Sequence, residues 1–137
     1  MKALVVDASV TAAWIFDDEE TEYARDVLRR AQDIMFFVPA IRPLEMVNVL
    51  LVNKRRKRIT ALDTARAVAL FSELGIQVDR LATMQPFDNT LLLARAHGLS
   101  SYDAAYLELA LRKRIPLATL DNRMRHAATI AGVPLHA

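Results

Sequence analysis

Short apolar runs alternate with longer stretches of helical period along the chain, and that order suits one class of structure, an α/β fold with helices packed on a parallel sheet. "KALVV" (Lys2 to Val6) is too short and too β-branched for a helix and reads as a buried strand ending at Asp7. "ASVTAAWIF" and "ETEYARDVLRRAQ" follow as two helices, with the acidic run Asp17 to Glu20 favouring the start of the second. "IMFFV" (Ile34 to Val38) is the second strand, closed by Pro39. Pro43 suits a first helical position, so a helix runs from there through Val52 into a basic run. "TALD" (Thr60 to Asp63) has the form of a capping box and opens a helix that stops at Gly75. Ile76 to Leu81 is a third strand, Pro86 to Ala96 a helix ended by Gly98, and "LSSYDAAYLELAL" the next helix. Ile115 to Leu120 is a fourth strand, followed by a helix over Asn122 to Ala131 and an extended piece near "VPLHA".

Composition narrows the chemistry. A chain of 137 residues with 53% hydrophobic content is the size of one domain, expected to span 1–137, and buries roughly 70% of its unfolded surface. No apolar run approaches the ~18 residues of a membrane span, and Met1 leads directly into "KALVVD" without the features of a signal peptide, so a cytoplasmic protein is expected. With no cysteine, and with His97, His126 and His136 lacking ligand spacing, any metal must be held by oxygen.

The acids fall where the strands end. In open α/β sheets ligands bind outside the carboxyl ends of the strands. Asp7 ends the first strand and Asp121 follows "LATL". Glu45 and Asp103 lie in first turns of helices and can point back to that edge. Each has an ordinary reading: Asp103 suits a helix N-terminus, Asp121 an N-cap, and Glu45 with Asn48, one turn apart on an otherwise apolar helix, a packed polar pair. Asp7 resists such a reading, because an isolated carboxylate beside a buried strand carries a heavy desolvation cost. Steps of three and four from Asp103 reach Tyr106, Leu107, Ala110 and Leu111, so the acid stands in line with residues expected to face the core. Four acids gathered at one edge repel unless a cation joins them, and hard oxygen ligands suit Mg²⁺ or Mn²⁺ with a phosphate-bearing substrate. Phosphodiester hydrolysis is the expected chemistry, with Glu45 orienting water and Ser9 and Thr119 as hydroxyl donors to the ligands, Thr119 reading equally well as an ordinary strand residue.

Net charge is only +2, but "NKRRKR" (Asn53 to Arg58) concentrates cations. Such a run either completes a helix C-terminus or forms a footprint for nucleic acid.

"VVDAS", "RPLEMVNVLL", "LSSYDAAYLELAL" and "LATLDNRM" resemble, in order and spacing, the PIN-domain ribonucleases, and most closely the VapC-like toxins of type II toxin-antitoxin pairs. That resemblance implies a three-layer α/β/α sandwich and an acidic quartet of Asp7, Glu45, Asp103 and Asp121. It also implies a Mg²⁺-dependent endoribonuclease, a homodimer, and an antitoxin whose tail occupies the active-site groove. RNA then reaches the cleft past cations, with Lys54, Arg55 and Arg56 as candidates for phosphate positioning. A phospho-receiver domain shares the length and the strand-end acids, but usually carries adjacent acids after its first strand, where this chain has Ala8 and Ser9. A PIN nuclease that processes RNA without being a toxin is the other alternative.

Overall fold

The computed structural model describes residues 2–19, 21–80 and 87–137. Among them four strands form one parallel sheet: β1 (Lys2–Val6), β2 (Ile34–Val38), β3 (Gln77–Val78) and β4 (Leu117–Ala118), in the order β3-β2-β1-β4. Val5 stands opposite Phe37 on one side and Leu117 on the other, which makes β1 the central strand. Leu4, Val5 and Val6 are accordingly buried, as an unbroken apolar run covered on both faces requires.

The helices are α1 (Ala8–Ala13), α2 (Glu22–Arg29), α3 (Arg42–Arg55), α4 (Ala61–Glu73), α5 (Asn89–His97), α6 (Ser101–Lys113) and α7 (Asn122–Ala131). The chain leaves β1 toward β2 and β3, then returns across the sheet to β4 on the other side of β1. Right-handed crossovers therefore put α1 to α4 on one face and α5 and α6 on the other, giving the three layers. The main core joins β1 and β2 to α1, α2, α6 and α7; a smaller cluster of Phe16, Met46, Leu50, Ile59 and Ala67 lies under α3 and α4.

Local signals set most boundaries. Thr60 and Asp63 form the capping box at α4, each side chain bonded to the other's backbone N–H. Pro43 sits at the start of α3, and Gly98 closes α5 at φ +62°, a conformation glycine adopts without strain. α7 spans the residues expected of it, and the chain after it makes one parallel bridge, Leu135 to Leu117.

Other elements differ from expectation. The residues from Asp17 to Glu19 form a 3₁₀ turn of their own, and Thr21 caps α2 by accepting from the Ala24 N–H, because a hydroxyl next to the first turn satisfies a free backbone donor directly. Paired residues at β3 and β4 are only two each, since the strands beside them, β2 and β1, end opposite Val78 and Ala118; Leu81 and Pro86, which the sequence reading gives to a strand and a helix, lie outside the described residues. The stripe expected on α6 holds for Tyr106, Leu107 and Ala110 but not for Leu111, which is 36% exposed. α6 is covered by β1, α5 and α7, so its buried surface widens to Glu108 and Leu109 and ends before the last turn. Arg112 holds the buried Glu108 carboxylate at 2.7 Å and bridges to Asp79 beyond β3 at 2.6 Å. That pairing is what lets an acid replace a leucine inside.

Leu107→Ala should lower the unfolding free energy by roughly 2–5 kcal/mol in urea titration, and Leu111→Ala by less than ~1 kcal/mol. The opposite ranking would contradict this placement of α6.

Candidate active site at the carboxyl edge of the sheet

The point where the strand order reverses lies between β1 and β4, and Asp7 and Asp121 flank it. Asp7 is the N-cap of α1: its Oδ1 accepts from the Ser9 and Val10 N–H groups at 3.0 and 3.3 Å and from the Ser9 hydroxyl at 2.6 Å. Its Oδ2 accepts from the Thr119 hydroxyl, 112 residues away in the chain. The Ser9 oxygen accepts from the Leu120 N–H at 2.9 Å, and the Thr119 oxygen from the Asp121 N–H at 3.0 Å. Each hydroxyl has one proton and gives it to Asp7, so the 3.4 Å contact between Ser9 and Thr119 is left without one. Ser9 and Thr119 thus stitch the end of β1 to the segment after β4. Asp7 is only 4% exposed. Burial raises its carboxyl above the ordinary range against the lowering effect of these hydrogen bonds.

Asp121 caps α7, its Oδ1 accepting from the Arg123 N–H at 2.9 Å. Asp103 occupies the first turn of α6, where its N–H donates to the Ser100 hydroxyl at 3.1 Å. Burial first, and then the charge of Asp121, raise the Asp103 carboxyl; Ser100 and Arg123 oppose them. These two acids therefore sense each other directly. Glu45, in the first turn of α3, accepts from the Tyr106 hydroxyl at 3.0 Å. Burial raises the Tyr106 hydroxyl far above its usual value; the nearby Arg42 works against this, and the charges of Glu45 and Asp7 add to it. Asn48 is exposed on the outer surface of α3, beside Glu45 in a shallow groove with Leu44, Val47 and Tyr102.

Asp7 and Asp121 are thus joined through the Thr119 hydroxyl, Asp103 feels the charge of Asp121, and Glu45 is tied to Tyr106. Among the described residues no three acidic or histidine side chains stand close enough together to hold a metal ion. Their chemistry nevertheless fits a hard divalent cation. All donors are carboxylate oxygens, Oδ2 of Asp7 takes a single hydrogen bond, and the like charge of Asp121 raises the Asp103 carboxyl.

Lys54, Arg55 and Arg56 are exposed at the far end of α3, roughly 14–17 Å along the helix from Glu45. Arg58, the last of that run, is instead a structural tie: it pairs with Asp18 at 2.8 Å, donates to Asn53, and lies 4.8 Å over the Phe16 ring. Closer to the acids are other cations, among them Arg123 and Arg125, a smaller basic cluster of the sequence. Arg125 donates to the Thr119 carbonyl at 2.9 Å, and Arg123 is near enough to Asp103 to lower its carboxyl. Arg42 is buried, donates to the Thr11 hydroxyl, and has an Nε without a hydrogen-bond partner among the described residues. Tyr106 was also passed over, because its position in an apolar stripe made it indistinguishable from core. For Arg42 the available signal was its i, i+3 spacing from Glu45 at the start of a helix.

Comparison with known proteins agrees with this architecture. The chain is 29% identical over 121 residues to Ribonuclease VapC3 of Pyrobaculum aerophilum, covering 88% of this chain and 91% of that protein. The crystal structure of PAE2754 from Pyrobaculum aerophilum superposes with a TM-score of 0.64 at 21% identity, covering 92% of this chain and 86% of the other. FitAcB from Neisseria gonorrhoeae superposes with a TM-score of 0.60 at 15% identity, covering 98% and 96%. The PIN domain pattern matches residues 4–130, nearly the whole length, and the chain belongs to the PIN-domain family.

Proposed function

We propose that the protein is a divalent-metal-dependent endoribonuclease and the toxin of a toxin-antitoxin pair. One observation carries the reading: at the reversal of strand order Asp7 and Asp121 are joined through the Thr119 hydroxyl, and Asp103 lies close enough to Asp121 to feel its charge. Likeness to Ribonuclease VapC3 supports RNA as the substrate and a VapC-like role.

Asp7, Asp103 and Asp121 would hold Mg²⁺, with Mn²⁺ as a substitute. When bound, the ion lowers the pKa of a coordinated water and neutralises charge on the phosphate. The chain supplies the rest. Ser9 and Thr119 fix both oxygens of Asp7, so that it presents one orientation toward the cleft. Glu45, held on one oxygen by Tyr106, keeps the other for the attacking water. Arg123 and Arg125 stand beside the acids and are placed to meet a phosphate of the strand being cut; exposed Lys54, Arg55 and Arg56 extend the positive track for a longer RNA. Asn48 is available to the same strand from the outer face of α3.

The outward face of α3 supports protein partners. Leu44 is 68% exposed, and Val47, Leu51 and Tyr102 are about half exposed around Glu45 and Asn48. An apolar surface flanking an active site suits an antitoxin segment or a second copy of the chain, as the homodimer reading requires. No helix among the described residues is long and apolar enough to cross a membrane.

Asp7→Asn and Asp103→Asn should each slow Mg²⁺-dependent cleavage of a single-stranded RNA by at least about 100-fold, with the circular dichroism spectrum kept. Cleavage at the wild-type rate by both variants would remove the assignment. Stability gives a second test. The Asp103 carboxyl is raised on folding, so its ionisation costs stability at neutral pH, and the cost fades as pH falls through the folded value toward the ordinary value of an aspartate. Without metal, Asp103→Asn should melt above the wild type at pH 7, with the difference shrinking at acid pH; Mg²⁺ should raise the melting temperature of the wild type more than that of the variant. Equal melting at pH 7 would count against mutual repulsion.

A further inference from the structure

Glu45 is only half-buried and has a flexible side chain, so something must keep its carboxylate aimed. The contact that does so comes from the core. Tyr106 is 1% exposed, its ring packed among β1, α6 and their neighbours, and its hydroxyl reaches Glu45 Oε1 at 3.0 Å across 61 residues of chain. A phenol so deeply buried stays protonated over the whole working range, so it is a permanent donor and never competes with Glu45 for a proton. The Arg42 guanidinium, one turn before Glu45 on α3, lies near the same hydroxyl and brings positive charge to a place that otherwise holds only the charges of Glu45 and Asp7.

We propose that Tyr106 is a positioning residue for hydrolysis. Its hydroxyl fixes one oxygen of Glu45 so that the second stays directed at the water, and the buried Arg42 offsets the negative charge that this arrangement concentrates. The inference rests on reading Glu45 as the water-orienting group. It assigns Tyr106 no contact with RNA or metal; the effect passes through Glu45. Because the hydrogen bond is made to a charged group and holds a reacting geometry, its loss falls on kcat and not on substrate binding.

The test compares steady-state RNA cleavage in Mg²⁺ by Tyr106→Phe, which keeps the ring, and by the protein carrying 4-aminophenylalanine at position 106, which restores an uncharged donor. Tyr106→Phe should lower kcat by about 10- to 100-fold, with KM unchanged within about twofold. 4-Aminophenylalanine should recover most of the loss. A wild-type kcat for Tyr106→Phe would overturn the inference, as would a loss that is shared with KM and not recovered by the amino variant. Glu45→Gln separates the two levels. If it is inactive while Tyr106→Phe is fully active, the positioning role alone fails. If Glu45→Gln cuts at the wild-type rate, the reading of Glu45 fails and this inference falls with it.

Discussion

A carboxylate at the end of the central strand has to be satisfied in a place that water barely reaches, and the rest of the site is built around that requirement. Asp7 receives backbone N–H groups from the first turn of α1 and hydroxyl protons from Ser9 and Thr119. The second hydroxyl comes from the far end of the sequence, so the same bonds that make the charge tolerable also lock β1 to the segment after β4. That lock orients Asp121 through its own N–H and starts α7. Hydrogen bonding does not fully compensate for burial, and the Asp7 carboxyl remains raised. Asp7 is held in shape by hydrogen bonds but keeps a raised carboxyl, a condition that a divalent ion relieves.

Structural and functional roles are not alternatives for these residues. Asp7 and Asp121 are helix caps, and Asp103 lies in a first turn where a negative charge is welcome. Helix starts supply backbone donors that steady acids, and the carboxyl ends of parallel strands are where helix starts gather. A fold of this kind can therefore collect negative charge with little local strain. The cost appears where burial outweighs those donors, at Asp7 and Asp103, and Asp121 adds to it at Asp103 by its like charge. On the other side of the cleft the same economy places Glu45 in the first turn of α3, with Tyr106 and Arg42 behind it.

Much of this was legible in the sequence because it is written in local patterns. The apolar run before Asp7, the Thr60 capping box, the proline at α3 and the residues of α7 each encode their element within a few positions, and the strands ending before Asp7 and Asp121 put both acids at one edge of the sheet. The parts that were not legible depend on contacts between distant segments. A tyrosine in an apolar stripe gives no sign that its hydroxyl meets a carboxylate 61 residues away. Glu108 reads as an exposed acid until Arg112 and Asp79 are seen around it. Pairing at β3 and β4 stops at Val78 and Ala118, opposite the last residues of β2 and β1, Val38 and Val6. The basic run after α3 is a mixed case: Arg58 is tied to Asp18 and Phe16, while Lys54 to Arg56 extend into solvent as the charge pattern indicated.

The account stands or falls on whether the acids of β1, α6 and the β4 edge share one ion. The most direct measurement is anomalous diffraction from crystals of the protein grown with Mn²⁺. The account predicts a peak between Asp7, Asp103 and Asp121, within about 2.0–2.4 Å of carboxylate oxygens from at least two of them. A fully occupied Mn²⁺ site elsewhere, with no peak among these three acids, would contradict it.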